Sequence, residues 1–191
     1  MNAVRLSGVL VLVLALASCG ETEPAAAPEE APEQMLDSQG HAHRVVVEIG
    51  GSAHHTRTVA DVTALTIFRF QGHTKANGKT RGHYFYNFQA AGFSIRGPIT
   101  CITTSGNQAW IGGTVGSITS PDSADQSLVG VDMWWRMIDN GKGKHAPPDS
   151  TTGIGFAFPG STISAESWCQ DQPALLILRE VARGDLKVKT R

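Results

Sequence analysis

The stretch whose residue types best fit a chemistry is Asp139-Asn140-Gly141-Lys142-Gly143, followed by Pro147-Pro148-Asp149. Carboxylate and amide oxygens on a glycine-rich loop suit Ca²⁺, which takes about six to eight oxygen ligands. Two carboxylates beside a histidine also suit general acid–base hydrolysis. Against both, the EF-hand spacing is absent, and Lys142 and Lys144 bring positive charge into the loop. Asp-Asn-Gly is in addition ordinary turn chemistry, with glycine supplying the positive φ. A turn is therefore expected, and Asp139, Asn140 and Asp149 stand as the candidate ligand or metal loop. The histidines are His41, His43, His54, His55, His73, His83 and His145. The His-x-His and His-His pairs near the start would suit a transition metal. Neighbours on a strand point to opposite faces, so His54 and His55 cannot chelate together from a regular strand. Zinc spacings such as HExxH are missing, and solvent-facing histidines are expected. Ser161 follows Gly160 without the Gly-x-Ser-x-Gly elbow of a nucleophilic serine. No Walker loop or dinucleotide fingerprint appears. No catalytic residue, cofactor or resident metal is assigned.

The elements that would position these residues are strands. Glycine is frequent, and β-branched and aromatic residues come in short runs between turn residues. The clearest strand is Val129 to Ile138, with Val129, Val131, Met133, Trp135 and Met137 predicted inward and Trp134 outward or packed under a loop. Tyr84, Tyr86 and Phe88 share a second inward face, and Thr63 to Phe70 forms a strand without clean alternation. Ile95 to Thr103 places Ile95, Ile99 and Cys101 on one side, and Pro98 suggests an edge or bulge. Ser105-Gly106-Asn107 turns that strand into Ala109 to Val115 as a hairpin. Arg44 to Ile49, Gly153 to Phe158, Thr162 to Cys169, Ala174 to Arg179 and Leu186 to Thr190 complete the predicted strands. No helix of ordinary length is expected. The fold class is all-β: a single antiparallel meander domain, barrel-like or a two-sheet sandwich.

Before this domain the composition changes twice. Met1 to Ser18 has Arg5 in a positive end, an apolar run from Leu6 to Leu16, and small residues Ala17 and Ser18 ahead of Cys19. That order reads as an export signal, and the apolar run is too short to span a bilayer as a helix of roughly 20 apolar residues. Leu16-Ala17-Ser18-Cys19 resembles the lipobox of bacterial lipoproteins. The resemblance implies cleavage before Cys19 and acylation of it, palmitate included. Each buried methylene contributes about 0.8 kcal/mol, so two or three chains anchor stably. It further implies an exported protein held to a membrane, at the outer membrane or periplasmic face if the host is diderm, since Gly20 rather than Asp follows the cysteine. Residues 19–42 then read as the lipidated cysteine and a disordered Pro/Ala/Glu tether, acidic through Glu21, Glu23, Glu29, Glu30, Glu33 and Asp37. Some 24 residues reach roughly 80 Å when extended. Residues 43–191 form the β domain. From His41 onward there are fifteen Lys/Arg against eleven Asp/Glu, spread without a block, which gives no reason to propose nucleic acid.

With Cys19 given to lipid by that resemblance, Cys101 and Cys169 remain as a pair in a compartment that permits a disulfide. Two buried thiols are the alternative. Neither has an adjacent histidine or cation that would make it a nucleophile. One further likeness covers roughly Tyr86 to Asp149. Gly97-Pro98-Ile99-Thr100-Cys101, Gly106-Asn107-Gln108-Ala109 and Asp139-Asn140-Gly141-Lys142-Gly143 resemble a group of uncharacterised exported bacterial β proteins. The resemblance implies export and a β domain and carries no activity. Lys142 stands where that group often has Glu, which lowers the calcium reading further. The expected function is a lipid-anchored, non-catalytic binding or structural domain whose partner is an envelope protein or a small ligand. The alternative is an envelope hydrolase or metal-dependent enzyme using the Asp139/Asp149 loop.

Overall fold

The computed structural model describes residues 43–59, 62–143, 145–174 and 177–191. Cys19 and His41, and with them the proposed signal and tether, lie outside the described residues. Strands dominate the described residues. In chain order these are β1 (Val45–Val59), β2 (Val62–Lys75), β3 (Thr80–Phe88), β4 (Phe93–Ser105), β5 (Gln108–Thr114), β6 (Ser117–Thr119), β7 (Asp132–Ile138), β8 (Ser150–Thr151), β9 (Gly155–Phe156), β10 (Arg179–Glu180) and β11 (Arg183–Thr190). Among the described residues one helix, α1 (Ala165–Asp171), and two short 3-10 turns, Gln89–Ala91 and Ser123–Leu128, complete the elements. All pairs are antiparallel, in the order β10-β8-β7-β5-β4-β3-β2-β1-β11, with β6 added beside β4 and β9 beside β7. The sheet curls into a half-barrel.

Alternation explains the concave side. Phe68 and Phe70 from β2, Tyr84, Tyr86 and Phe88 from β3, and Ile95 and Ile99 from β4 all point inward and are buried. They surround Trp135 of β7, whose ring meets Phe68, Phe70 and Tyr84 at centroid separations of 4.8, 5.7 and 5.7 Å. Tilted and edge-on aromatic contacts of this kind add to the area term. The interior is thus filled with side chains, the outcome that a small barrel favours.

Several strand expectations are corrected. β7 starts at Asp132, because Gly130 takes φ 88° and Val129, 46% exposed, ends the preceding 3-10 turn. Thr162 to Cys169 is mainly helix: Ser164 accepts from Ser167 N while Ser167 Oγ accepts from Ser164 N, a capping box that starts α1. Gly153 to Phe158 keeps only β9, and of Ala174 to Arg179 only Arg179 is in a strand, Leu175 and Leu176 lying outside the description. Cys101 does not share a face with Ile95 and Ile99. A bulge between Ile99 and Cys101 shifts the phase, so Ile102 joins the core and Cys101 turns to the convex side. Pro98 lies beside that bulge, in a strand paired on both sides. The Ser105–Gln108 hairpin is present, with Gly106 at φ 58°.

The convex side of β5 and β7 is covered. Trp168 of α1 packs there on Trp110 and Trp134 in a second cluster, with Trp134 stacked on Trp168 at 6.0 Å. Trp134 therefore packs beneath the helix rather than facing solvent. The Cys101–Cys169 disulfide, S–S 2.04 Å, ties α1 to β4. Among the described residues no helix is long and apolar enough to cross a membrane.

Candidate functional site

The carboxylates singled out from sequence sit where the curled sheet would otherwise stay open, between β7–β8 on one side and β11 on the other. β11 pairs with β1 along one edge only. On its free edge, Val188 N donates to Asp139 Oδ2 at 2.9 Å and Leu186 N donates to Asp149 Oδ2 at 2.8 Å. The second oxygens accept from the loop itself, Asp139 Oδ1 from Gly141 N and Asp149 Oδ1 from Asn140 N, both at 2.8 Å. Alternate residues of a strand direct their N–H groups to one edge, so Leu186 and Val188 present two donors that no neighbouring strand takes up. Two aspartates supply the missing acceptors. Asn140 is held in turn, its Nδ2 donating to the Pro148 carbonyl, and Lys142 reaches Asp185 of β11 at 2.8 Å. Asp185 holds the exposed Lys142 ammonium above the usual lysine range.

Asp139, Asn140 and Asp149 are thus brought together, and every carboxylate oxygen of the pair already accepts a backbone N–H. The histidines are not brought to them as a set. His43, His83 and His145 are exposed, and His54 and His73 are half-buried on separate registers of β1 and β2. His55 departs from the expectation of solvent exposure: it is 1% exposed, because alternation turns it inward while His54 faces out. Among the described residues no three His, Cys, Asp or Glu side chains are grouped to hold a metal ion. Ser161 is exposed and accepts from Ile163 N in a local turn.

The concave feature best suited to a ligand lies at the opposite mouth of the half-barrel, a cleft of about 350 Å³. Tyr86 and Phe88 enter it from the end of β3 and Phe93 from the start of β4. Gly92, at φ 61°, lets the chain reverse between them. Phe156 of β9 and Leu128 of the second 3-10 turn form the facing wall, and Pro121, Asp122 and Asp125 the rim. The rim is fixed by local bonding: Asp122 caps its turn by accepting from Ala124 N at 2.8 Å, and Ser120 Oγ donates to Asp125. Four aromatic rings beside two carboxylates make a surface for an apolar body, neutral or bearing a cation. Ser120 is its one serine hydroxyl, and that is committed to Asp125. Sequence reasoning missed Phe93, Phe156, Leu128 and both rim aspartates. The Pro121-Asp122-Ser123 stretch carried a legible helix-start signal, whereas β9 is two residues long and gives none.

No family model, curated protein or solved structure matches this chain.

Proposed function

We propose that this chain is a lipid-anchored, non-catalytic envelope protein whose β domain takes a small apolar ligand in the cleft at the mouth of the half-barrel. The observation that carries the non-catalytic reading is the bonding of Asp139 and Asp149. In the strongest candidate for acid–base or metal chemistry, each carboxylate oxygen already accepts a backbone N–H, from Leu186, Val188, Gly141 or Asn140. A filled interior leaves the mouth as the place for a ligand, a position where barrel sites commonly lie. The Leu16–Cys19 pattern supports the anchor.

Binding is tested with the neutral probe N-phenyl-1-naphthylamine, read by fluorescence. The wild-type protein is expected to bind it saturably, and Leu128→Arg, which places a long cation in the cleft wall, is expected to abolish binding at unchanged Tm. Equal fluorescence from both proteins would sink the cleft as the site. Incorporation of labelled palmitate into wild type and not into Cys19→Ala tests the anchor separately.

A further inference from the structure

Three of the basic residues that look scattered in sequence are gathered in space. Residues 44–105 hold seven Lys/Arg (Arg44, Arg57, Arg69, Lys75, Lys79, Arg81 and Arg96) against Glu48 and Asp61, whereas residues 106–182 hold four against eight acids. Cross-strand register then places three of the arginines on one convex patch. Arg69 lies opposite Phe85, and Phe85 opposite Arg96, giving a row Arg69–Phe85–Arg96 across β2, β3 and β4. Two residues along β3, His83 lies opposite Gln71, and beyond it Arg81 lies opposite His73. Strands are about 4.8 Å apart, so Arg69 and Arg96 flank the Phe85 ring at roughly 10 Å from each other. All three arginines and His83 are exposed and Phe85 is half-buried. A shallow depression opens beside His83, Phe85 and Arg96.

The described acids Glu48 and Asp185 on this side of the sheet are already paired. Glu48 lies 3.4 Å from Lys187 and 3.8 Å from Arg191, and Asp185 holds Lys142. Among the described residues no carboxylate lies within 4.0 Å of Arg69, Arg81 or Arg96. At the same sheet's β11 edge, the neighbouring Lys187 pushes the exposed Lys189 ammonium down and Glu48 pushes it up.

We infer that the convex face of β2–β4 docks on an anionic phospholipid surface, with Arg69, Arg81 and Arg96 on lipid phosphates and Phe85 entering the headgroup layer between them. The shape selects this occupant. An extended polyanion is followed along a groove, whereas this face is broad and convex and has an aromatic ring at its centre. Arginine forks match phosphate oxygens in pairs. Each such cation near an anionic leaflet adds about fivefold in affinity. The surface shares no residue with the ligand cleft, and the inference rests on neither that cleft nor the lipid anchor.

Residues 43–191 carry the whole described core, every described strand and the disulfide within one compact unit, so this unlipidated piece is the protein to use. Its binding is measured to vesicles of phosphatidylcholine alone and with a third of phosphatidylglycerol, at low and high salt. We expect binding only to the anionic vesicles, lost in high salt. Arg69→Ala/Arg81→Ala/Arg96→Ala should weaken it on the order of 100-fold. Ser123→Glu/Gln126→Glu/Gln170→Glu, which changes net charge equally elsewhere, should weaken it severalfold at most. Phe85→Ser at unchanged Tm should also weaken binding. Equal losses in the two triple variants would reduce the effect to net charge and overturn the proposal. So would failure to bind anionic vesicles, including a protein that captures dextran sulfate instead.

Discussion

The convex faces of β3 and β7 meet opposite fates. On β3 the outward residues His83, Phe85 and Asn87 remain on the surface, and inward Tyr84, Tyr86 and Phe88 are buried, so burial alternates strictly. On β7 the central run Met133–Met137 is buried on both sides, because α1 and the Trp110–Trp134–Trp168 cluster cover the face that β3 leaves open. Arg136 shows what coverage does to a charge. It lies 5.1 Å over Trp110, and its Nη1 donates to the Ala174 carbonyl at 3.2 Å. Arg69 and Arg96, on the bare half, have no such cover. One curled sheet is thus a two-sided core where a helix lies on it and a one-sided wall where nothing does. Among the described residues, Arg69, Arg81 and Arg96 on that wall have no carboxylate within 4.0 Å.

Substitutions that separate the two halves should differ most at the core. Trp135→Ala is expected to cost about 4 kcal/mol, as for a large buried aromatic, and Phe85→Ala under about 1 kcal/mol. Urea denaturation of the pair measures the contrast, and similar losses would mean that the β3 outer face is also packed. Close behind is the staple of the covered half. Replacing both Cys101 and Cys169 by Ala, which opens a sequence separation of 68, should cost about 4 kcal/mol on the chain-entropy account. The same double variant should leave anionic-vesicle binding by the bare half unchanged.

A smaller effect lies at the seam between the halves. Burial pushes the Tyr84 hydroxyl well above its ordinary value, and its O–H donates to the Thr114 carbonyl at 3.1 Å. A group whose folded pKa is raised contributes stability that is whole below the unfolded pKa, about 10, and is lost as pH rises above it. Wild type should therefore lose about 1 kcal/mol per pH unit more than Tyr84→Phe above pH ~10. Parallel pH profiles would show that the hydroxyl ionises as freely in the folded protein as in the unfolded chain.

The same contrast explains what could be read from the residues alone. Tyr84, Tyr86 and Phe88 were legible because their outward neighbours stay polar or half-exposed, leaving a period of two in the sequence. The inward set Met133, Trp135 and Met137 was legible as well, but the burial of Trp134 depends on a helix thirty-odd residues downstream. That helix resembles a strand in sequence, since the Ser164–Ser167 box is short and its apolar content matches a strand. Cys101 was assigned the wrong face because a bulge is a one-residue event that no periodicity announces. Half of the Asp139 role was local and readable: the turn bond to Gly141 N is ordinary Asx chemistry. The other half joins Val188, a residue 49 positions away, and depends on where the sheet's two ends meet.

At that meeting point Asp139 and Asp149 bridge the sheet's two ends. Amide hydrogen exchange at Leu186 and Val188, followed by NMR in wild type, Asp149→Ala and Asp139→Ala, tests this closure most directly. The expected result is strong protection of both amides in wild type, unaltered by added calcium. Leu186 should lose protection in Asp149→Ala and Val188 in Asp139→Ala, while the β1-paired amides of β11 keep most of theirs. Amides equally protected in all three proteins, or wild-type protection that appears only with calcium, would contradict the closure and return the pair to the status of a reactive or metal-binding site.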